Sequence, residues 1–336
     1  MGKMLLIAAL ASLAAGSAVA QDLKDEYRVS TVLPAPFPWG QAAEKWAELT
    51  AERSDGRINL KVYPGTQLVQ GDQTREFTAL RQGVIDMAVG STINWSPQVT
   101  ELNLFSLPFL MPDYAAMDAI TQGEVGERIF DIVQQNGVVP LAWAENGFRE
   151  VTNSKTEIRK PEDMQGLKLR VVGSPIYNDM FTAMGANPTQ MSWADAQPAL
   201  TTGAVDGQEN PLTIYTTLNM QDLGQNNITL WGYVADPLIF AVNSQVWDSF
   251  SADDQELLRQ AAVDAGAFGI EVARKGLTED DQSLIDEIRS KGVNVVTLTD
   301  DEKQAFKDAT ASVYEDWKQK IGPDLVDAAE EAVANR

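Results

Sequence analysis

The 336-residue chain contains neither cysteine nor histidine. Without cysteine there is no disulfide, thiolate nucleophile or thiolate metal site. Without histidine there is no Ser-His-Asp or Cys-His triad and none of the commonest zinc ligand sets. An enzyme built from this chain would be left with carboxylate, lysine or tyrosine chemistry. Basic residues are also scarce, since 26 Lys and Arg face 48 Asp and Glu for a formal charge of -22. A surface that acidic repels nucleic acid and anionic lipid, which argues against both as partners. Any anionic ligand has to be held by local arginines working against the global field.

Beyond the first twenty residues, MGKMLLIAALASLAAGSAVA, there is no long apolar run. One early Lys3, an apolar stretch from Met4 to Leu13 and Ala18-Val19-Ala20 read as a secretory signal peptide with an A-x-A cleavage site. A membrane anchor would need about twenty apolar residues and a charged flank. The expected product is a soluble exported protein starting at Gln21, with a charge of -23 once Lys3 is removed from the -22 total. Low-complexity linkers are absent as well. The length suits two core-forming domains, which are therefore joined by short hinge strands rather than by a tether.

An internal repeat organises the chain. Thr66-Gln67-Leu68 followed by Ala79-Leu80-Arg81-Gln82-Gly83-Val84-Ile85-Asp86 matches Thr189-Gln190-Met191 followed by Ala199-Leu200-Thr201-Thr202-Gly203-Ala204-Val205-Asp206. Each copy reads as a turn, a helix stopped by a left-handed glycine, and a buried strand. The alternating segments 58–63 and 167–172 read as the strand before each copy, giving two β-α-β units and hence two α/β lobes. Further strands are expected at 30–32, 138–142, 238–242 and 293–298, and helices at 39–54, 115–136 and 252–275.

Ligands of open α/β sheets bind beyond the carboxyl ends of the strands. The segment GAVDGQENP, Gly203 to Pro211, lies at such an end, with Val205 expected in the strand and Gln208, Glu209 and Asn210 in the loop leaving it. The first-lobe counterpart is Val89 to Trp95. Arg170, a charge inside an apolar strand, and Arg149, near the crossing between lobes, form a fork suited to a carboxylate. Trp193 offers a flat wall. Each residue also has a structural reading: Arg170 paired with Glu209 or Asp195, Asn210-Pro211 shaping a turn, Trp193 in the core. Two rival functions stay open on these residues. One is an exported glycoside hydrolase using Glu145 and Glu209 as acid and base, against which nearby arginines would lower the needed pKa. The other keeps the fold but binds a sulfonate or a zwitterionic compatible solute, with Trp39, Trp95 and Trp193 as an aromatic box.

The ordered run Gly166-Leu167-Lys168-Leu169-Arg170, Met184-Gly185-Ala186-Asn187-Pro188, Ala199-Leu200 and Asp206 to Pro211 resembles the periplasmic solute-binding subunits of tripartite ATP-independent periplasmic (TRAP) transporters, of the C4-dicarboxylate-binding type. The likeness extends over the mature chain. It implies a two-lobed periplasmic binding protein fold, with two mixed sheets flanked by helices and a long helix near 252 to 275 spanning both lobes. The lobes would be 21–147 plus 236–275 and 148–235 plus 276–336. It further implies a protein that closes on a small organic anion and hands it to membrane permease subunits; a monomer is the default expectation for a carrier that must close and dock, and no cofactor or metal is assigned. By the same resemblance Arg170 makes the main salt bridge to the carboxylate, Arg149 assists, Asn210 completes the clamp and Trp193 is the aromatic wall. Phe37, Trp39, Asn94 and Trp95 are the candidates for the first-lobe wall. Gly90 stands where some sialic-acid-type members carry an acid, which disfavours an amine-bearing polyol.

Overall fold

The computed structural model describes residues 23–336, so the signal peptide expected at 1–20 lies outside the described residues. The first lobe begins with a unit in which strand β1 (Tyr27–Ser30), helix α1 (Pro38–Arg53), strand β2 (Leu60–Tyr63), helix α2 (Glu76–Arg81) and strand β3 (Met87–Ser91) follow one another. The short α3 (Thr92–Trp95), then α4 (Tyr114–Thr121) and α5 (Glu124–Gln135), lead into the long strand β4 (Val138–Phe148). The chain crosses to the second lobe at Arg149. There β5 (Glu150–Asn153), β6 (Lys168–Val171), α6 (Pro175–Ala183), β7 (Asn187–Gln190), α7 (Trp193–Thr202), β8 (Gly207–Asn210), α8 (Leu212–Thr217) and β9 (Asn227–Leu230) form the other sheet. β10 (Ala235–Asn243) returns to the first sheet, followed by α9 (Ser244–Asp248) and α10 (Ala252–Arg274). The chain ends with α11 (Ser283–Ser290), β11 (Asn294–Thr297), α12 (Asp300–Ile321) and α13 (Pro323–Ala334).

The two sheets run β2-β1-β3-β10-β4 and β11-β9-β5-β8-β6-β7. Both are mixed: β1 pairs in parallel with β2 and β3, as β6 does with β7 and β8, while β10 and β5 run antiparallel to their neighbours. The repeat is therefore real, but its alignment differs from the sequence reading by one strand. The counterpart of β2 is β7, not the strand at 167–172, which matches β1. Thr189-Gln190 consequently belongs to strand β7, whereas Thr66-Gln67 lies in the turn after β2. The repeated G-x-(Ile/Val)-D has a shared structural role. Gly83 and Gly203 both adopt left-handed φ, of 74° and 69°. The aspartate three residues on accepts a backbone N–H at the start of the central strand: Asp86 from Arg28 and Asp206 from Lys168, each at 2.9 Å. Strand formation waits until after that aspartate, so Gln208, Glu209 and Asn210 lie within β8 and not in a loop beyond it.

α10 is about 34 Å long at about 1.5 Å per residue. Ser251 caps it by accepting from Asp254 N, and Leu258, Ala261, Ala262 and Ala265 form its buried face. It lies across α1 and β4, where Trp46 Nε1 donates to Leu258 O. A side chain at Gly266 would strike the carbonyl of Trp143, which is why the helix can sit so close to the strand. Its far end at Val272 and Lys275 shares a groove with Thr213, Thr216 and Thr217 of α8, so the helix does reach from one lobe to the other. Two expectations give way to local chemistry. The single helix at 115–136 is split at Gly123, whose extended backbone caps α5, and the strand from 138 continues to Phe148. The last helix also departs from the division by sequence: α13 packs through buried Leu325, Val326 and Ala329 on the side of α4 and α5, elements of the first lobe.

Candidate ligand-binding site

The lobes are closed on one another. Gln73 Oε1 accepts from Trp193 N at 2.8 Å, and Ser174, at the start of α6, lies 2.9 Å from Ser96 Oγ and donates to Asn103 Oδ1 at 3.1 Å. Between the lobes lies a cavity of about 20 Å³, little more than one water needs. Its apolar wall is formed by Val32 and Leu33 after β1, the equivalent Val172 after β6, and Trp39, Trp193 and Ile214. The polar lining is Gln73, Asn94, Asn146, Arg149, Arg170, Asn210 and Asp236.

Arg170 sits on the central strand β6, in register with Gln208 on β8, and is 1% exposed. Its Nε and Nη2 both donate to the carbonyl of Met191, at 3.1 and 2.9 Å, and the Trp193 ring lies 5.7 Å from the guanidinium carbon. Among the described residues it makes no ion pair, so neither Glu209 nor Asp195 is its partner. Burial pulls its pKa down to about 10, with Glu209 opposing that and Arg149 adding to it. The group remains a cation at neutral pH.

Arg149 is placed differently although it lines the same cavity. Its Nε and Nη2 fork onto the Glu209 carboxylate, Nη2 also donates to Glu209 O and Asn210 Oδ1, and Nη1 donates to Asp236 at 3.1 Å. Burial works against its charge, but Glu209 more than offsets this and raises the pKa above the ordinary value. Asp236, at the start of β10, accepts from Ser91 and Asn146 as well, and burial raises its pKa against the pull of Arg149. Arg149, Glu209 and Asp236 therefore join the two strand crossings, while Tyr233 donates to Glu209 at 3.0 Å. Asn210 donates one N–H to Gln208 Oε1 and gives its oxygen to Arg149, which leaves its second N–H available.

The structure brings Arg170, Arg149, Asn210, Trp193, Asn94 and Trp39 to the cavity. It does not bring Phe37 and Trp95 there. Phe37 caps α1 in the first-lobe core. Trp95 is fully buried against Phe77, donates to Glu76 at 3.0 Å, and its indole covers Gly90 so closely that no side chain fits at that position. Packing thus accounts for Gly90. Glu145 is also off the cavity, bonded to Arg274 of α10 at 2.8 Å. Its pKa is up at about 7, because burial outweighs the arginine. The hydrolase reading fails on placement, with Glu145 facing α10 and Glu209 neutralised by Arg149. Sequence reasoning missed Gln73, Asn146 and Asp236. Asn146 lies between Glu145 and Arg149, both considered from the sequence, but Gln73 and Asp236 act through contacts that no local pattern announces.

The profile of the bacterial extracellular solute-binding proteins, family 7 (DctP), matches residues 29–320. The chain belongs to this family. It is 32% identical over 330 residues to the 2,3-diketo-L-gulonate-binding periplasmic protein of Escherichia coli K12, covering 97% of each. Among solved structures, the TRAP periplasmic solute binding protein from Ralstonia eutropha H16, with bound (S)-2-acetolactate, aligns with a TM-score of 0.92 and 63% identity over 93% of this chain and 100% of that one. The sugar acid binding protein from Advenella mimigardefordensis, in complex with galactonate, aligns at 0.86 and 29% identity over 94% and 99%. The two-lobed fold and the solute-binding role of family 7 are thereby established for this chain. No helix of the described residues is long and apolar enough to cross a membrane.

Proposed function

We propose that this family 7 protein is exported by its leader, works as a monomer in the periplasm, and captures a small branched monocarboxylate bearing hydroxyl and oxo oxygens, of the (S)-2-acetolactate type, for delivery to TRAP permease subunits. The observation that carries this reading is Arg170, a buried guanidinium on the cavity wall with no carboxylate of the described residues to pair with. A cation so placed favours a ligand carboxylate strongly. Arg149 is already saturated with two carboxylates, so the cavity offers one uncommitted cation among the described residues and suits one carboxylate better than two.

The remaining polar groups describe the rest of the ligand. The Nδ2 groups of Asn94 and Asn210 are donors that an oxo oxygen or the second carboxylate oxygen can accept from, while Asn146 Oδ1 is free to accept from a hydroxyl because its Nδ2 is bound to Asp236 at 2.7 Å. Methyl groups suit Val32, Leu33, Val172 and Ile214. The ligand bound by the 63% identical neighbour has this composition. Arg170 would hold the carboxylate, Trp39 and Trp193 would exclude water, and Arg149 would act by holding Asn210 and the hinge. Ligand contacts to both lobes then favour the closed state over the open one.

Isothermal titration of residues 21–336 with (S)-2-acetolactate, succinate and galactonate tests the reading. Acetolactate is expected to bind tightest, and Arg170→Ala should weaken it by about a hundredfold or more, an effect on the order of 3 kcal/mol. Tighter binding of galactonate or succinate would overturn the ligand class. An unchanged Kd in Arg170→Ala would overturn the role of that arginine.

A further inference from the structure

We infer that Gln73 is a selectivity-determining positioning residue, which with one amide latches the closed lobes and turns Asn94 into a hydrogen-bond donor toward the ligand. The inference rests on the reading of the cavity as a site for a small oxo acid. Gln73 lies in the 3₁₀ turn at 73–75 of the first lobe and is 4% exposed. Its Oε1 accepts from the backbone N–H of Trp193, the first residue of α7 in the second lobe. A backbone N–H can only donate, so the orientation of the Gln73 amide is fixed by that contact. Its Nε2 is then the donor to Asn94 Oδ1, at 2.7 Å. With its oxygen engaged by Gln73, Asn94 has its Nδ2 hydrogens left for the cavity it lines. A donor fixed in the second lobe thus decides, through two amides, that the first-lobe wall offers donors.

The same relay links closure to the anion site. Trp193 N–H is one of the orphan donors at the N-terminus of α7, and Ser192 Oγ serves Asp195 N instead. Among the described residues, only Gln73, from across the cleft, satisfies it. Two residues earlier, the carbonyl of Met191 accepts both bonds from Arg170. Ligand held by Arg170 and the latch formed by Gln73 therefore act on one short turn, residues 191–193. The other contacts across the lips, Ser174 with Ser96 and Asn103, touch neither Asn94 nor this turn, so they provide an internal control.

The experiment uses residues 21–336 and two acids, (S)-2-acetolactate and 2-hydroxy-2-methylbutanoate, which lacks the oxo oxygen, with rates followed by tryptophan fluorescence. Wild-type protein is expected to prefer the oxo acid by about tenfold, the worth of one buried hydrogen bond. In Gln73→Met, koff for the oxo acid should rise about tenfold while kon stays within about threefold, and the preference should fall to about twofold or less. Asn94→Leu should lose the preference, and the double variant should lose no more of it than either single one. Ser174→Ala should speed release of both acids alike and keep the preference. Gln73→Met with the wild-type preference, or with the Ser174→Ala pattern, would overturn the inference and leave the functional reading intact. Wild-type protein that binds neither acid would overturn both.

Discussion

Arg170 is expected to make the ligand-free protein less stable than it need be. Burial pulls its pKa well below the ordinary arginine value, to about 10. At about 1.36 kcal/mol per unit this corresponds to about 3 kcal/mol of unfavourable environment for the charge. The sign follows from linkage: the base holds its proton less tightly in the folded state. The penalty is therefore present in full at every pH below about 10 and fades only as pH rises above that. Replacing Arg170 by methionine removes the charge and keeps most of the volume. It also strips the Met191 carbonyl of two bonds, which returns about 1 to 2 kcal/mol of cost. The balance is a ligand-free Arg170→Met protein more stable by about 1 to 2 kcal/mol, a rise in Tm of about 1 to 3 °C. Wild-type protein at a thousandfold excess over Kd should gain about 4 kcal/mol from ligand, and the variant nothing measurable. Differential scanning calorimetry with and without acetolactate reads both effects. A ligand-free Tm several degrees below wild type would refute the argument, because Arg170 would then be a structural residue whose bonds outweigh its burial.

Arg149→Ala should behave in the opposite way, losing about 3 to 5 kcal/mol because Glu209 and Asp236 are left buried without their cation, and urea unfolding would show it in the absence of any ligand. A Cβ at Gly173 would stand 2.5 Å from Thr74 Cγ2 across the cleft. Gly173→Ala should therefore weaken ligand binding by about tenfold, with Thr74→Ser, which lacks that methyl, restoring most of it in calorimetric titrations. Glu76 is buried, bonded by Ser30 and Trp95, and burial lifts its pKa to about 7. A carboxyl that binds its proton more tightly when folded adds stability that is complete below about pH 4.5 and is lost as pH rises through about 7. Unfolding measured at pH 5.5 and 8.5 should show the protein weaker at the higher pH, with the difference reduced in Glu76→Gln.

Much of this was legible in the chain because it rests on local chemistry. Gly83 and Gly203 end helices where left-handed backbone is needed, Ser251 caps α10, and Arg170 stands out as a charge in an apolar strand. Misreadings came where pairing partners, not propensity, decide the outcome. GQEN has no strand signature, yet β8 forms because β5 and β6 supply partners on both sides. The two T-Q pairs are not equivalent, one ending strand β7 and the other lying in the turn after β2, since alternation alone cannot distinguish β6 from β7. Trp95 looked like part of a box because tryptophan in a strand-exit segment fits either a wall or a core. Gly90 decides between them, for the indole fills the space a side chain would need.

The two arginines show why residue type alone could not assign the site. Both are buried and both line one cavity, Arg149 at the crossing between sheets and Arg170 on β6 inside the second sheet. Arg149, with Glu209 and Asp236, makes a cluster of net charge -1, and Arg170 brings the whole set to zero. A protein of charge -22 can thus admit an anion without local repulsion, because the acids nearest the site are already spent on Arg149. Had Glu209 paired with Arg170 instead, the cavity would hold the same residues and offer the ligand nothing. What selects between these pairings is the register of β5 against β8, which sets Glu209 opposite Val151, two residues from Arg149, whereas β6 brings Arg170 opposite Gln208. On the proposed reading, anion binding by this chain then follows from strand register, through which of the two arginines is left without a carboxylate among the described residues.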